Sequence, residues 1–260
     1  MSFEPLYRLR VDDLDVQVYR TNDEMGQAAA CKAAAILSEA IARQGEANAI
    51  FATGNSQLTF LQHLCELSEI DWKRVNIFHM DEYVGLSPAH PASFPNFLNR
   101  HLVSIVKPKN FFPVPATLAD SQQACVEYET LLRKYPADLC ALGIGENGHL
   151  AFNDPPFADF NDTRWVKVVK LDIISRQQQV GEGHFKNLDE VPTHAITLTI
   201  PALLAAKKVL AIVPEARKAD AVYRSLKLEI TDQCPGSILR KAAHAQLFLD
   251  LDSAAKILPR

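Results

Sequence analysis

The chain has 260 residues, 48% of them hydrophobic and 22% charged, with a formal net charge of −4. That length and composition allow a core that stands without disulfide staples, and the basic residues are scattered rather than clustered, which argues against a nucleic-acid surface. No run approaches the roughly 20 apolar residues of a membrane span, and Met1 to Pro5 do not begin a basic region followed by an apolar one, so no secretory leader is expected.

Ala28 to Arg43 is alanine-rich with apolar residues at helical spacing, and Ala47 to Ala52 reads as a buried strand. Ser56 to Glu69 is helical, with Leu58, Leu61, Leu64 and Cys65 on one face, and Val75 to Met80 is a second strand. Phe94 to Leu102 and Ser121 to Lys134 follow as helices, and Asp138 to Gly145 as a third strand. Trp165 to Leu171 and Ala195 to Thr199 are β-like, and Pro201 to Ala206 is a short helix. Lys208 to Val213 is another buried strand, Ala216 to Leu226 the helix after it, and Gln246 to Leu251 the last strand. Strands interleaved with helices predict an α/β fold, a single domain over residues 1–260 with an open, mainly parallel Rossmann-like sheet and helices on both faces. No internal repeat and no Gly/Ser linker interrupts it.

Four strand ends carry polar chemistry: Thr53-Gly54-Asn55-Ser56, Asp81-Glu82-Tyr83, Glu146 to Asp154, and Pro214 to Lys218. In an open parallel sheet, ligands bind at the carboxyl edge near a topological switch point, so the convergence of these clusters on one edge marks a site. The third is the densest. Gly143, Gly145 and Gly148 allow close backbone approach to a ligand, and His149 and Asp154 lie five apart on the same loop, close enough for a carboxylate to orient an imidazole for proton transfer. A tight turn around a structural His149 is the competing reading. Thr53 to Ser56 join a strand to a helix, where free N–H groups make an anion site or a plain helix cap. Lys218 sits in the first helical turn, where the dipole disfavours a cation, and is the candidate to meet the same anion; Arg217 is its rival. Of the adjacent acids Asp81 and Glu82, one can enter a cleft while the other holds backbone or a neighbour.

The five cysteines, Cys31, Cys65, Cys125, Cys140 and Cys234, have no metal-ligand spacing, and there is no zinc cluster, P-loop or G-x-G-x-x-G. Dispersed thiols suit a reducing cytoplasm. A phosphate cradle, carboxylates and a histidine suit cofactor-free proton shuttling on a phosphorylated metabolite.

At these residues the chain resembles the glucosamine-6-phosphate deaminase (isomerase) family, related to 6-phosphogluconolactonases. Met80-Asp81-Glu82-Tyr83-Val84-Gly85-Leu86 matches its M-D-E-Y-V-G-L, and Gly143 to Pro155 its G-[VI]-G-x-[DN]-G-H-[IL]-[AG]-F-N-E-P. Thr53-Gly54, Arg217-Lys218-Ala219 and Val191 to Thr197 fit further elements, so the likeness spans nearly the whole chain. Lactonases lack the ending Phe152-Asn153-Asp154-Pro155. The resemblance implies that Asp81 moves a proton between C2 and C1 of an open-chain amino-sugar phosphate, giving fructose 6-phosphate and ammonia. It implies that His149 opens the ring, oriented by Asn147 and Asp154. Thr53, Gly54, Asn55, Ser56 and Lys218 would hold the phosphate, with Glu82 and Gly148 also on the substrate side. No metal or other cofactor is implied. Glucosamine is favoured over galactosamine, with lactone hydrolysis or non-catalytic sugar-phosphate sensing as alternatives. Asn147 and Asp154 stand where many members have Asp and Glu. A lid over about residues 157–190 would carry the family's N-S-R arginine, here read as Arg176 in Ser175 to Gln179, unless Gln179 replaces it. Members occur as monomers and as hexamers, which leaves a homo-oligomer open.

Overall fold

The computed structural model describes residues 4–117, 119–155, 157–181 and 183–258. Residue 182 of the expected lid lies outside them, as do Met1 to Phe3, part of the stretch on which the absence of a leader was expected.

An antiparallel hairpin, β1 (Tyr7–Val11) and β2 (Leu14–Tyr19), leads into α1 (Asn22–Gln44). The helix begins before its alanine-rich centre because Thr21 caps it. The Thr21 hydroxyl accepts from the Glu24 N–H at 3.1 Å, and the Glu24 carboxylate accepts from the Arg20 N–H at 3.0 Å, close to a capping-box exchange. There follow β3 (Ala47–Phe51), α2 (Leu58–Glu66), β4 (Val75–His79), the short β5 (Asp81–Tyr83) and α3 (Phe94–Leu98). Helix α3 runs through a π turn, Asn99–Val103, into α4 (Ser104–Val106), and β6 (Asn110–Phe112), α5 (Ser121–Lys134) and β7 (Leu139–Leu142) come next. The remainder is β8 (Val166–Lys170), α6 (Ile173–Gly181), β9 (His194–Leu198), α7 (Ile200–Leu204), β10 (Lys208–Val213), α8 (Ala219–Lys227) and β11 (Ala245–Asp250).

The main sheet has eight strands in the order β1-β2-β11-β10-β7-β3-β4-β6, all parallel except the edge strand β1. Successive side chains point to opposite faces, and both faces are covered. Ile50, Phe78, Cys140, Leu142, Val209, Ala211 and Leu247 pack against α5, α7 and α8 on one side. Ala49, Phe51, Ile77, Leu139, Leu210 and Phe248 pack against α1, α2 and α3 on the other. This is the expected mainly parallel α/β architecture. A second, antiparallel sheet, β5-β9-β8, continues from the end of β4. The hairpin β1–β2, β6 and β5 go beyond the sequence expectation, since β1 is largely exposed and β5 and β6 are three residues each.

The strand order places the four polar strand ends side by side, since β10, β7, β3 and β4 are consecutive neighbours. From β3 the chain builds outward through β4 to β6, and from β7 it builds the other way through β10 to β11. The direction reverses between β3 and β7, the switch point where a crevice opens.

Candidate active site

The cleft at that edge is lined by Thr53, Gly54, Asn55, Ser56, Asp81, His149 and Lys218, residues drawn from all four strand ends. Gly54 sits at φ +100° and ψ 164°, a conformation essentially restricted to glycine, and starts the 3-10 turn Asn55–Gln57 that feeds α2. Gln57, buried, donates to the Ser56 hydroxyl and to the Ile212 carbonyl, both at 3.2 Å. It thereby ties the anion loop to β10. Beyond β10, Glu215 is held at φ +81°, and its N–H is clamped by the two carboxylate oxygens of buried Asp250 at 3.2 and 3.0 Å. That strained residue turns the chain so that Lys218, 4% exposed, faces the cleft. Its rival Arg217 is turned to the carboxylates of Glu215 and Glu146.

Asp81 is placed by two sheets at once. Met80 leads from β4 into β5, Asp81 pairs with Thr197 of β9, and the Leu198 N–H donates to the Met80 carbonyl at 2.8 Å. Beneath it, buried His79 accepts the Val114 N–H on Nε2 at 2.8 Å, which leaves Nδ1 to donate to the Asp81 carbonyl at 3.0 Å. Burial pushes the His79 pKa down to about 3, so the ring is a neutral brace. Burial, with the negative charges of Glu82 and Asp154, holds the Asp81 carboxyl well above the usual carboxylate range. Glu82, expected on the substrate side, is turned away. Its carboxylate accepts from the Tyr83 N–H, the Ser93 hydroxyl and the Phe94 N–H at 2.7, 2.8 and 3.1 Å, which fixes the start of α3. Burial raises its pKa to about 7 despite those bonds. Consecutive strand residues point to opposite faces, and only Asp81 has the cleft side.

The loop after β7 holds His149. A Cβ on Gly145 would stand 2.2 Å from the imidazole, so glycine there leaves room for the ring. Behind the ring, Nδ1 lies 2.9 Å from Asp154 Oδ1, off the line of a straight hydrogen bond. The same oxygen accepts from Asn147 Nδ2 at 2.8 Å and from the Ser175 hydroxyl at 2.6 Å. Burial works to raise the Asp154 carboxyl, but the adjacent His149 and the hydrogen bonds from Asn147 and Ser175 outweigh it and hold it low. Asn147 therefore acts on Asp154 and on the His149 backbone, whose N–H it accepts at 3.0 Å, and not on the imidazole as expected. Gly148, expected at the substrate, does not line the cleft; it faces Cys234, whose Sγ would be 2.8 Å from an added Cβ. The far end of the loop is nailed to β9: the Phe152 N–H donates to the Thr197 hydroxyl at 3.1 Å, and Asn153 Nδ2 to the Leu198 carbonyl at 2.8 Å.

Arg176 is not at the cleft. Its guanidinium donates to the carbonyls of Leu188 and Val191 at 2.6 and 2.8 Å, stitching the segment after α6 back onto that helix. Gln179, on α6, and His184, after it, line the cleft instead. Phe185 anchors the segment, edge-on to Tyr83 at 5.6 Å and stacked on His90 at 5.5 Å. Arg100 and His101, on the π turn, complete the rim. Gln57, Ser175, Arg100, His101 and His184 carry no local sequence signal. Among the described residues no three His, Cys, Asp or Glu side chains are grouped to hold a metal ion.

The chain matches the profile of glucosamine-6-phosphate isomerases/6-phosphogluconolactonases over residues 20–249. It is 36% identical over 223 residues to a glucosamine-6-phosphate deaminase of Exiguobacterium sibiricum, covering 85% of each chain. It is 30% identical over 249 residues to one of Bacillus pumilus, covering 93% of this chain and 99% of that one. A solved monomeric glucosamine-6-phosphate deaminase superposes with a TM-score of 0.85 at 27% identity, covering 93% of this chain and 99% of that one. A 6-phosphogluconolactonase from Shewanella baltica, at 19% identity and a TM-score of 0.73 over 90% of this chain and 96% of that one, shares the fold. With the profile spanning both walls of the cleft, the chain belongs to the glucosamine-6-phosphate isomerase/6-phosphogluconolactonase family.

Proposed function

We propose that this chain is a glucosamine-6-phosphate deaminase that converts its substrate and water to fructose 6-phosphate and ammonia. The observation that carries the reading is the buried Asp81 carboxylate, held on a strand of its own and lining the same cleft as His149 and Lys218. In the open-chain sugar, the C2 proton is acidified by the C1 carbonyl. Asp81 removes it, the electron pair moves toward C1 to give an enolamine, and the proton returns to C1. The C2 imine then takes up water, the carbon–nitrogen bond breaks, and nitrogen leaves with a proton as ammonia. The base must start as a carboxylate, although burial favours its acid form; the substrate ammonium at C2 supplies the opposite charge that restores it. His149, backed by Asp154, moves the proton between the C1 hydroxyl and the ring oxygen during opening. The N–H groups of the Thr53 to Ser56 loop and the Lys218 ammonium hold the phosphate, and Gln179 and His184 close over it as the lid. A cytoplasmic location is supported by the free state of the cysteines Cys31, Cys65, Cys125, Cys140 and Cys234, and no helix among the described residues is long and apolar enough to cross a membrane.

The test is release of ammonia and fructose 6-phosphate from glucosamine 6-phosphate, with Asp81→Asn as control and solvent deuterium traced into C1 of the product. No turnover of any amino-sugar phosphate overturns the reading. A near wild-type rate in Asp81→Asn overturns the assignment of the base.

A further inference from the structure

We propose that Arg100 is the second cation of the substrate-phosphate site, working with Lys218 from the opposite rim. The inference rests on the deaminase reading only for the identity of the sugar that carries the phosphate.

A phosphate monoester carries about −1.5 to −2 charges near neutral pH, and Lys218 alone leaves part of that charge uncompensated. The other basic side chains that chain order brings near are committed. Arg176 is spent on the Leu188 and Val191 carbonyls, and Arg217 on Glu215 and Glu146. Arg100 lines the cleft with Thr53, Ser56 and Leu58, yet its guanidinium makes no hydrogen bond or ion pair to another described residue. Its neighbour His101 also lines the cleft, and partial burial and the Arg100 charge hold its pKa below the usual histidine value. The guanidinium, not the imidazole, is therefore the positive group on this rim.

The backbone beneath Arg100 is unusual in the same place. Asn99–Val103 form a π turn between α3 and α4, a conformation rare in helices and frequent at functional sites. It is pinned on both sides of Arg100, with Leu98 and Leu102 fully buried and the Cys65 thiol of α2 donating to the His101 carbonyl at 3.4 Å. Helix α2 is the one that begins at the Asn55–Gln57 turn, so Arg100 and the anion loop are fixed to one rigid element. A guanidinium presents two parallel donors to a phosphate, which an ammonium does not.

The test compares Arg100→Ala, Arg100→Lys and Arg74→Ala in the full chain. Arg100→Ala raises KM for glucosamine 6-phosphate at least tenfold and leaves kcat within threefold, the pattern of binding lost equally in ground and transition states. Arg100→Lys recovers part of the loss, and Arg74→Ala, which removes a guanidinium paired with Asp71 before β4 and outside the cleft, leaves phosphate affinity unchanged. Inorganic phosphate, added to the free enzyme in a thermal melt, stabilises wild type and Arg74→Ala and fails to stabilise Arg100→Ala at the same concentration. A KM and a phosphate-induced shift in Arg100→Ala within twofold of wild type overturn the proposal. The melt needs no turnover, so an enzyme inactive on amino-sugar phosphates but with Arg100-dependent phosphate binding would refute the deaminase reading and leave Arg100 in place.

Discussion

Replacing Gly145 with alanine separates the position of the His149 imidazole from its presence. The added Cβ would stand 2.2 Å from the ring where ordinary contact begins at 3.4 Å, so the ring must retreat by about 1.2 Å. It has no slack behind it. Asp154 lies 2.9 Å from Nδ1 and is itself held by Asn147 and Ser175, so the ring can only swing out of line. A displacement of about 1 Å at a reacting group costs on the order of 100-fold in rate, or about 2.7 kcal/mol. Gly145 is not among the residues with positive φ, so alanine brings no backbone strain, and the melting temperature moves by no more than about 4 °C. The assay is kcat for ammonia release in Gly145→Ala, His149→Ala and the double variant. If alanine acts through the imidazole, the double variant is no slower than His149→Ala alone. A Gly145→Ala enzyme within threefold of wild type, or a double variant slower by the product of the two losses, would refute the reasoning.

Asp81→Asn lowers kcat by at least about 10³-fold, and its stability profile reports the sign of the Asp81 shift. Because burial and its acidic neighbours raise the folded pKa above the unfolded one, the stability contributed by Asp81 is complete below the unfolded pKa and is lost as pH rises through the folded one. The urea midpoint of Asp81→Asn therefore gains on wild type as pH rises from about 4 to 9, and a constant gap across that range would show that Asp81 is not shifted. The acid limb of wild-type kcat/KM falls above the ordinary carboxylate range for the same reason; a limb near pH 4 contradicts it. Asp250→Ala removes the acceptor for the Glu215 and Ser253 N–H groups and lowers unfolding free energy by about 2 kcal/mol with a rise in KM; a loss in urea unfolding under about 0.5 kcal/mol rejects the clamp. Arg176→Ala frees two carbonyls and speeds amide exchange over residues 183–191, measured by mass spectrometry; unchanged exchange there would mean the stitch is not what orders the segment.

The sheet and its chemistry-bearing edge were legible because β3, β4, β7 and β10 are apolar runs that stop abruptly at polar clusters, and composition alone marks such a stop. The start of α1 was not legible from apolar spacing, which begins at Ala28, whereas the Thr21 and Glu24 cap starts the helix at Asn22. Strand β5 was not legible either, since Asp81 to Tyr83 become a strand only by pairing with β9, more than a hundred residues later in the chain. Arg176 misled for a related reason: a motif gives a residue's place in the chain, while the carbonyls that claim its guanidinium are set by how the following segment folds back. Asn147 and Asp154 looked like two separate departures from the family pattern, and the structure joins them. Asn147 donates to Asp154 at 2.8 Å, so an aspartate at 147 would set two carboxylates against each other, and an amide there suits the shorter acid.

The strand order also constrains how the chain is made. β3, buried at every position, can pair with β4 as soon as both have been synthesised, but its other edge waits for β7. β2 waits longer still, since apart from the exposed β1 its partner is β11, the last strand of the chain. A growing polypeptide therefore carries an apolar edge open to wrong partners until β7 emerges from the ribosome, and β2 joins the main sheet only with β11. Truncation before Ala245 would unseat the N-terminal hairpin along with the C-terminus, so loss of the last strand is felt at the opposite end of the sequence.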